Sequence, residues 1–110
     1  MDPDTLLEME AELFHAMGNA SRLKIVYMLQ NGPQCVSDLA KDMGLSQPAV
    51  SRHLAALRRP GVVIAQRHAQ EVLYQLANPK IVAVCNLMRE VLSERIAHSS
   101  EIAQAFPDTT

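Results

Sequence analysis

The run Gly44-Leu45-Ser46-Gln47-Pro48-Ala49-Val50-Ser51-Arg52-His53-Leu54 holds the side chains of this chain best suited to chemistry with a polyanion. Ser46, Gln47, Ser51, Arg52 and His53 are hydrogen-bonding groups of the kind that meet base edges and phosphate oxygens of duplex DNA. Gln47, Ser51 and Arg52 are assigned to base edges, Ser46 and His53 to phosphate. Pro48, Ala49, Val50 and Leu54 lie between them as apolar scaffold, and Ala49 is small enough to sit against a thymine methyl. Positive charge continues through Arg58, Arg59, Arg67 and His68, which are candidate phosphate contacts, and no Asp or Glu occurs over 45–70. As phosphate contacts, the arginines would each steepen the salt dependence of binding by about 0.9 in log–log slope. The whole chain of 110 residues nevertheless has a formal net charge of −2. A basic face on an acidic remainder suits selection of a site rather than general coating of nucleic acid.

Those side chains need a frame. Apolar positions Leu6, Leu7, Leu13, Phe14 and Met17, with acids between them, predict a helix over 4–17. Gly18-Asn19 breaks it, and Asn19 or Ser21 caps a second helix over 21–30 that buries Leu23, Ile25, Val26 and Leu29. Asn31-Gly32-Pro33 is strong turn chemistry. A third helix is expected over 36–43, ended by Gly44 as a left-handed cap. Ser46 caps the fourth, Pro48 falls in its first turn, and Pro60-Gly61 stops it near residue 59. The runs 62–64 and 72–74 are β-branched or aromatic and flank the polar stretch 66–71, which predicts a hairpin without an Asn-Gly or Asp-Gly tip. Asn78-Pro79 opens a last helix to about residue 99, with the stripe Ile81, Val84, Cys85, Met88, Val91 or Leu92, and Ile96.

The fold class is therefore mostly α with a small β-hairpin, in the order α-α-α-α-β-β-α: a winged helix-turn-helix. Residues 1–106 are read as one DNA-binding and dimerisation domain, and 107–110 as a disordered tail. The apolar stripes of the first and last helices are too long for one small domain to cover. A homodimer paired through those helices covers them and matches the spacing of two DNA half-sites. No apolar run approaches the roughly 18 residues of a membrane span. Acidic Asp2, Asp4, Glu8, Glu10 and Glu12 precede any basic residue, the opposite of a secretory leader, so the expected location is cytoplasmic and no membrane partner is expected. There is no nucleophile elbow, phosphate loop, HExxH or paired CxxC, so no catalytic residue is assigned and the chain is not expected to be an enzyme.

Four blocks together are similar to the ArsR family of small winged-helix repressors: Met17-Gly18-Asn19-Ala20-Ser21-Arg22-Leu23-Lys24-Ile25, Cys35-Val36-Ser37-Asp38-Leu39-Ala40, Leu45 through Arg58, and Gly61-Val62-Val63 leading to Leu73-Tyr74-Gln75-Leu76. They span roughly 13–92, and the Leu45–Arg58 block is the most specific. The resemblance implies a homodimer that binds operator DNA, an imperfect palindrome, and releases it when an inducer binds. It also implies what is missing. The family's arsenic-sensing pattern has cysteines two and five residues after the position of Cys35, where this chain has Ser37 and Ala40. A second family metal site falls on Asn78, Lys80, Val91 and Glu94, of which only the glutamate is a ligand the pattern uses. At the wing, Gln70 and Glu71 replace a glycine and a basic residue, which implies a weaker phosphate contact.

The candidate sensing residues are the two cysteines, Cys35 and Cys85. Cys35 opens the third helix, whose N-terminal dipole favours negative charge, and its family position has been recruited for sensing. Cys85 lies on an apolar stripe, where free cysteine is ordinarily a small buried hydrophobe. Three readings stay open: a thiophilic metal or metalloid at Cys35 with ligands from a partner chain, oxidation or persulfidation of the thiol, or a repressor with no inducer there. Glu94 and His98, four apart on a helix, and His15 are read as packing or surface. The competing class is a winged helix that serves only protein–protein contact. Excluding carboxylates from 45–70 argues against it, since an interaction surface has no need to do so.

Overall fold

In the computed structural model, residues 1–105 are described in backbone and residues 1–99 in side chains. The tail expected over 107–110 lies outside the described residues. The chain divides into two compact units, 1–79 and 80–110.

The first unit holds α1 (Pro3–Met17), α2 (Ala20–Leu29), α3 (Val36–Met43), α4 (Gln47–Arg58), β1 (Val63–His68) and β2 (Glu71–Leu76). Local chemistry explains most of its boundaries. The Asn19 side chain accepts the Arg22 N–H at 3.1 Å and so satisfies one of the orphan donors at the start of α2. Ser46 does the same for α4, accepting from the Ala49 N–H at 3.2 Å. The ends of α3 and α4 share one device. Leu45 N–H bonds the Ala40 carbonyl at 3.0 Å and Gly44 N–H the Lys41 carbonyl at 3.3 Å; Val62 N–H bonds the Leu57 carbonyl at 2.9 Å and Gly61 N–H the Arg58 carbonyl at 3.0 Å. This is the Schellman pairing, which needs a left-handed residue at its corner. Gly44 at φ 66 and Gly61 at φ 91 supply it without a Cβ penalty.

The core is drawn from four segments. Ile25 and Val26 of α2, Leu39 of α3, Val50, Leu54 and Leu57 of α4, and Val62 and Val63 at the entry to the hairpin are fully buried. Val50, Leu54 and Leu57 stand four and three apart, so they form one stripe down the inner side of α4. Each such side chain contributes on the order of 1.5–3 kcal/mol of burial free energy, and those three fix the rotation of α4 about its own axis.

β1 and β2 pair antiparallel from Val63↔Leu76 to His68↔Glu71. The strands are longer than the apolar runs that announced them. The stretch 66–71, expected as a polar connection, is mostly strand: Arg67 and His68 pair with Val72 and Glu71. An exposed ladder is held by backbone bonds and does not need apolar alternation to continue. Only 69–70 form the tip, and Ala69 there takes φ 58, the left-handed region that disfavours a Cβ. A contact with no sequence signal adds an isolated bridge to β2. Gln34 N–H bonds the Tyr74 carbonyl at 3.0 Å and Tyr74 N–H bonds the Gln34 carbonyl at 2.8 Å, joining the loop before α3 to β2. The Gln34 amide also donates to the Met28 carbonyl of α2 at 3.0 Å.

Of the second unit, α5 (Lys80–Ala105) is described. Its 26 residues span roughly 39 Å at helical rise. It outruns the boundary expected at residue 99, because the Ser99-Ser100 pair is followed by the helix formers Glu101 to Ala105. Val82 and Cys85 are buried, whereas Val84, Leu87, Met88, Val91, Leu92 and Ile96 are exposed. In α1, Leu6, Leu7, Met9 and Phe14 are exposed as well. Among the described residues no helix is long and apolar enough to cross a membrane.

Candidate nucleic-acid interface

With Val50, Leu54 and Leu57 turned inward, the helical period leaves Pro48, Ser51, Arg52, Ala55, Arg58 and Arg59 exposed. Ser46 and Gln47 are exposed where α4 begins, and Ala49 is half-buried. The sequence-assigned residues Ser46, Gln47, Pro48, Ser51 and Arg52 therefore share the N-terminal half of one outward surface. Arg58 and Arg59 stand at the far end of the same helix. Arg67 and His68 are exposed on the hairpin, one residue from its tip. No carboxylate occurs over 45–70; the nearest acids are Glu71, opposite His68 in the hairpin, and Glu12, which lines a cleft with Arg59.

His53 is placed differently from its neighbours. It is half-buried, and its Nδ1 accepts a hydrogen bond from the Arg22 Nε–H of α2 at 3.3 Å. An imidazole that accepts at Nδ1 is neutral and carries its proton on Nε2. Burial lowers its pKa first, and the positive charges of Arg22 and then Arg52 lower it further. Arg22 also donates through Nη1 to the Ala16 carbonyl at the end of α1, at 3.4 Å. One arginine thus ties α1, α2 and α4 together. Arg22 and the Gln34 clamp carry no assignment in the sequence reading. Arg22 has a faint signal, being a cation in the first turn of a helix where acids are preferred; Gln34 has none.

Cys35 precedes α3 as a half-buried free thiol, its Sγ 3.1 Å from the Ser37 hydroxyl. Cys85 is a buried free thiol whose pKa is raised by that burial, with Arg89 opposing the shift. Among the described residues no group of three or more His, Cys, Asp or Glu side chains is arranged to hold a metal ion. Cys35 with a serine beside it is one soft donor, where thiophilic ions take two to four. The described residues of one chain do not fit such an ion.

The arrangement is a helix with a polar, cationic, outward surface, capped at both ends and set between a partner helix and a hairpin. An α-helix of these dimensions fits the DNA major groove. Comparison with known proteins agrees. The family described as bacterial regulatory protein, arsR family, matches residues 19–65. The transcriptional repressor SmtB of Mycobacterium tuberculosis is 33% identical over 101 residues, covering 92% of this chain and 70% of that one. The transcriptional activator HlyU of Vibrio cholerae is 38% identical over 95 residues, covering 81% and 88%; its reduced form has been solved and superposes with a TM-score of 0.70 at 35% identity over 80% of this chain and 93% of that one. The homodimeric winged helix-turn-helix DNA-binding domain Mb0332 of Mycobacterium bovis superposes with a TM-score of 0.79 at 28% identity, covering 86% of this chain and 88% of that one.

Proposed function

Because the chain belongs to the ArsR family of bacterial regulatory proteins and is a winged helix-turn-helix transcriptional regulator, we propose that two copies of it bind an imperfectly palindromic operator and repress transcription until an inducer acts. One observation carries this reading: the outward surface of α4, with Gln47, Ser51 and Arg52 exposed above a fully buried Val50–Leu54–Leu57 stripe. In the proposal the α4 helices of the two copies enter successive major grooves, Gln47, Ser51 and Arg52 reach base edges, and Ser46, Arg58, Arg67 and His68 meet phosphates. His53, engaged by Arg22, contributes through its remaining Nε2–H. The exposed apolar residues of α1 and of α5 each need cover, and the Mb0332 domain is described as homodimeric. A gel shift on the promoter of the protein's own gene, with competitor DNA and a salt titration, tests the reading. The expected result is one dominant complex that survives non-specific competitor. Weak, equal binding to every duplex would instead favour a protein–protein module.

The named relatives include a repressor and an activator, so the regulatory sign belongs to the proposal. A reporter fused to the bound promoter should be derepressed when the regulator is deleted. For the inducer we favour oxidation or persulfidation of Cys35 over a metal ion. The thiol is partly accessible and free, no ligand set accompanies it among the described residues, and a relative has been solved in a form specified as reduced. Release by an inducer requires that it bind or modify one dimer geometry in preference to the other. Treatment with peroxide or polysulfide should weaken operator binding by the wild-type protein and leave Cys35→Ser unaffected. If Cys35→Ser responds as wild type does, the thiol has no part in release.

A further inference from the structure

A cleft of about 380 Å³ lies in the first unit where the end of α1, the start of α2 and the end of α4 converge, lined by Glu12, His15, Arg22, Ala56, Arg59 and Pro60. The volume is in the range of small-molecule sites. Its polar lining is unbalanced: two guanidinium groups and an imidazole face one carboxylate. Arg22 spends only its Nε–H and one Nη1–H, in contacts of 3.3 and 3.4 Å that are long for hydrogen bonds to nitrogen and oxygen acceptors. An arginine has five N–H donors, so three remain. Arg59, His15 and Glu12 are exposed, and their side chains make no hydrogen bond or ion pair among the described residues.

We propose that this cleft binds a small anion, a phosphate or carboxylate compound that also carries an O–H or N–H donor. The anionic group is held by Arg22 and Arg59, and the donor is received by Glu12. The carboxylate is what separates this ligand from a DNA phosphodiester, which has no donor to give it and would be repelled. Position argues the same way. Arg59 lies twelve residues along the helix from Gln47, roughly 18 Å from the end assigned to base reading. Occupancy has a path to α4 that does not require contact with DNA. An anion that draws Arg22 into the cleft weakens the Arg22–His53 bond, which joins α2 to the middle of the reading helix. Anion binding itself stands independently of the operator-binding proposal; only its consequence for DNA depends on it.

The test compares two probe anions of like shape. Inorganic phosphate near neutral pH keeps at least one O–H, and sulfate has none. Calorimetric titration of the full chain at constant ionic strength should show saturable phosphate binding, with sulfate weaker by about tenfold, the equivalent of one charge-assisted hydrogen bond. Glu12→Gln, which can donate to sulfate, should narrow that difference, and Arg59→Gln should weaken phosphate by about tenfold. Nitrogen-15 spectra should show the His53 ring and the Arg22 Nε–H shifting with phosphate and not with equivalent chloride. Equal binding of phosphate and sulfate, unaltered by either substitution, would mean non-specific anion association and would overturn the proposal. So would phosphate that fails to bind while Arg59→Gln and His15→Gln flatten the salt dependence of operator binding, since the cleft would then hold a DNA phosphate.

Discussion

Helix α4 and the β1–β2 hairpin both present cations to the same proposed partner, yet they are built to different tolerances. Three fully buried side chains hold α4 from below, Ser46 caps its start, and a Schellman pairing at Gly61 closes its end. Past Val63 the hairpin has no fully buried side chain: Ile64 is 42% exposed, and Arg67 and His68 are open to solvent. Its tip keeps an alanine at φ 58. Side chains that distinguish bases must be placed to within a fraction of an ångström, whereas a phosphate contact tolerates a shifting arm. Under the proposed function, the contrast gives discrimination to α4 and general affinity to the wing.

The largest test of that division is a matched pair of truncations. Leu54→Ala removes a fully buried side chain and should cost about 2–5 kcal/mol of stability, measured by urea unfolding, with operator binding lost alongside. Ile64→Ala on the exposed strand should stay within about 0.5 kcal/mol and keep the operator. Equal costs for the two would mean that the hairpin is as firmly packed as the helix. Next in size is a pair of charge deletions. Arg52→Ala should cost ~1–3 kcal/mol of operator affinity and relax preference at one base pair. Arg67→Ala should weaken all duplexes about equally and reduce the salt slope by roughly 0.9. A relaxed preference from Arg67→Ala, with none from Arg52→Ala, would reverse the assignment.

How far the sequence announced this arrangement depends on whether the determinant is local. Gly44, Ser46, Pro48 and Gly61 act within one turn of chain, and each appears where its residue type predicts. The winged order α-α-α-α-β-β-α and the outward placement of Gln47, Ser51 and Arg52 followed from that punctuation and from the apolar Ala49, Val50 and Leu54 set between them. What escaped was non-local. His53 has the composition of an outward residue, but Arg22, 31 positions away, holds it from the side. Gln34 pairs with Tyr74 through backbone atoms that every residue carries. The cleft beside Arg22 is made where residues 12–22 meet residues 56–60, a juxtaposition that no local pattern announces. Hairpin length was missed for a related reason: an exposed ladder does not reveal itself by period.

The wing tip supplies a smaller and opposite test. Ala69 bears a Cβ in a region that costs an L-residue about 1–2 kcal/mol, partly offset because glycine loses more freedom on folding. Ala69→Gly should accordingly stabilise the protein by about 0.5 kcal/mol, seen as a rise in Tm, and leave base preference unchanged. Destabilisation would mean that the alanine methyl makes a contact that outweighs its strain.

The smallest effect concerns pH, and it probes the helix side of the comparison. His53 has a pKa lowered in the folded chain by burial and by Arg22 and Arg52, so the unfolded chain binds its proton more readily. Stability from this group is complete above the ordinary histidine value and is lost as pH falls through the lower, folded value. Acidification should then break the Arg22–His53 bond, because a protonated Nδ1 has nothing to accept with and faces a guanidinium. His53→Gln keeps an acceptor for Arg22 and removes the titration. Its stability curve should run parallel to wild type at neutral pH and fall less steeply below about pH 6.5, while carboxylate protonation affects both alike. Curves that remain parallel to pH 5 would show that protonating His53 costs the fold nothing, and that the Arg22–His53 bond is not what holds α4 against acid.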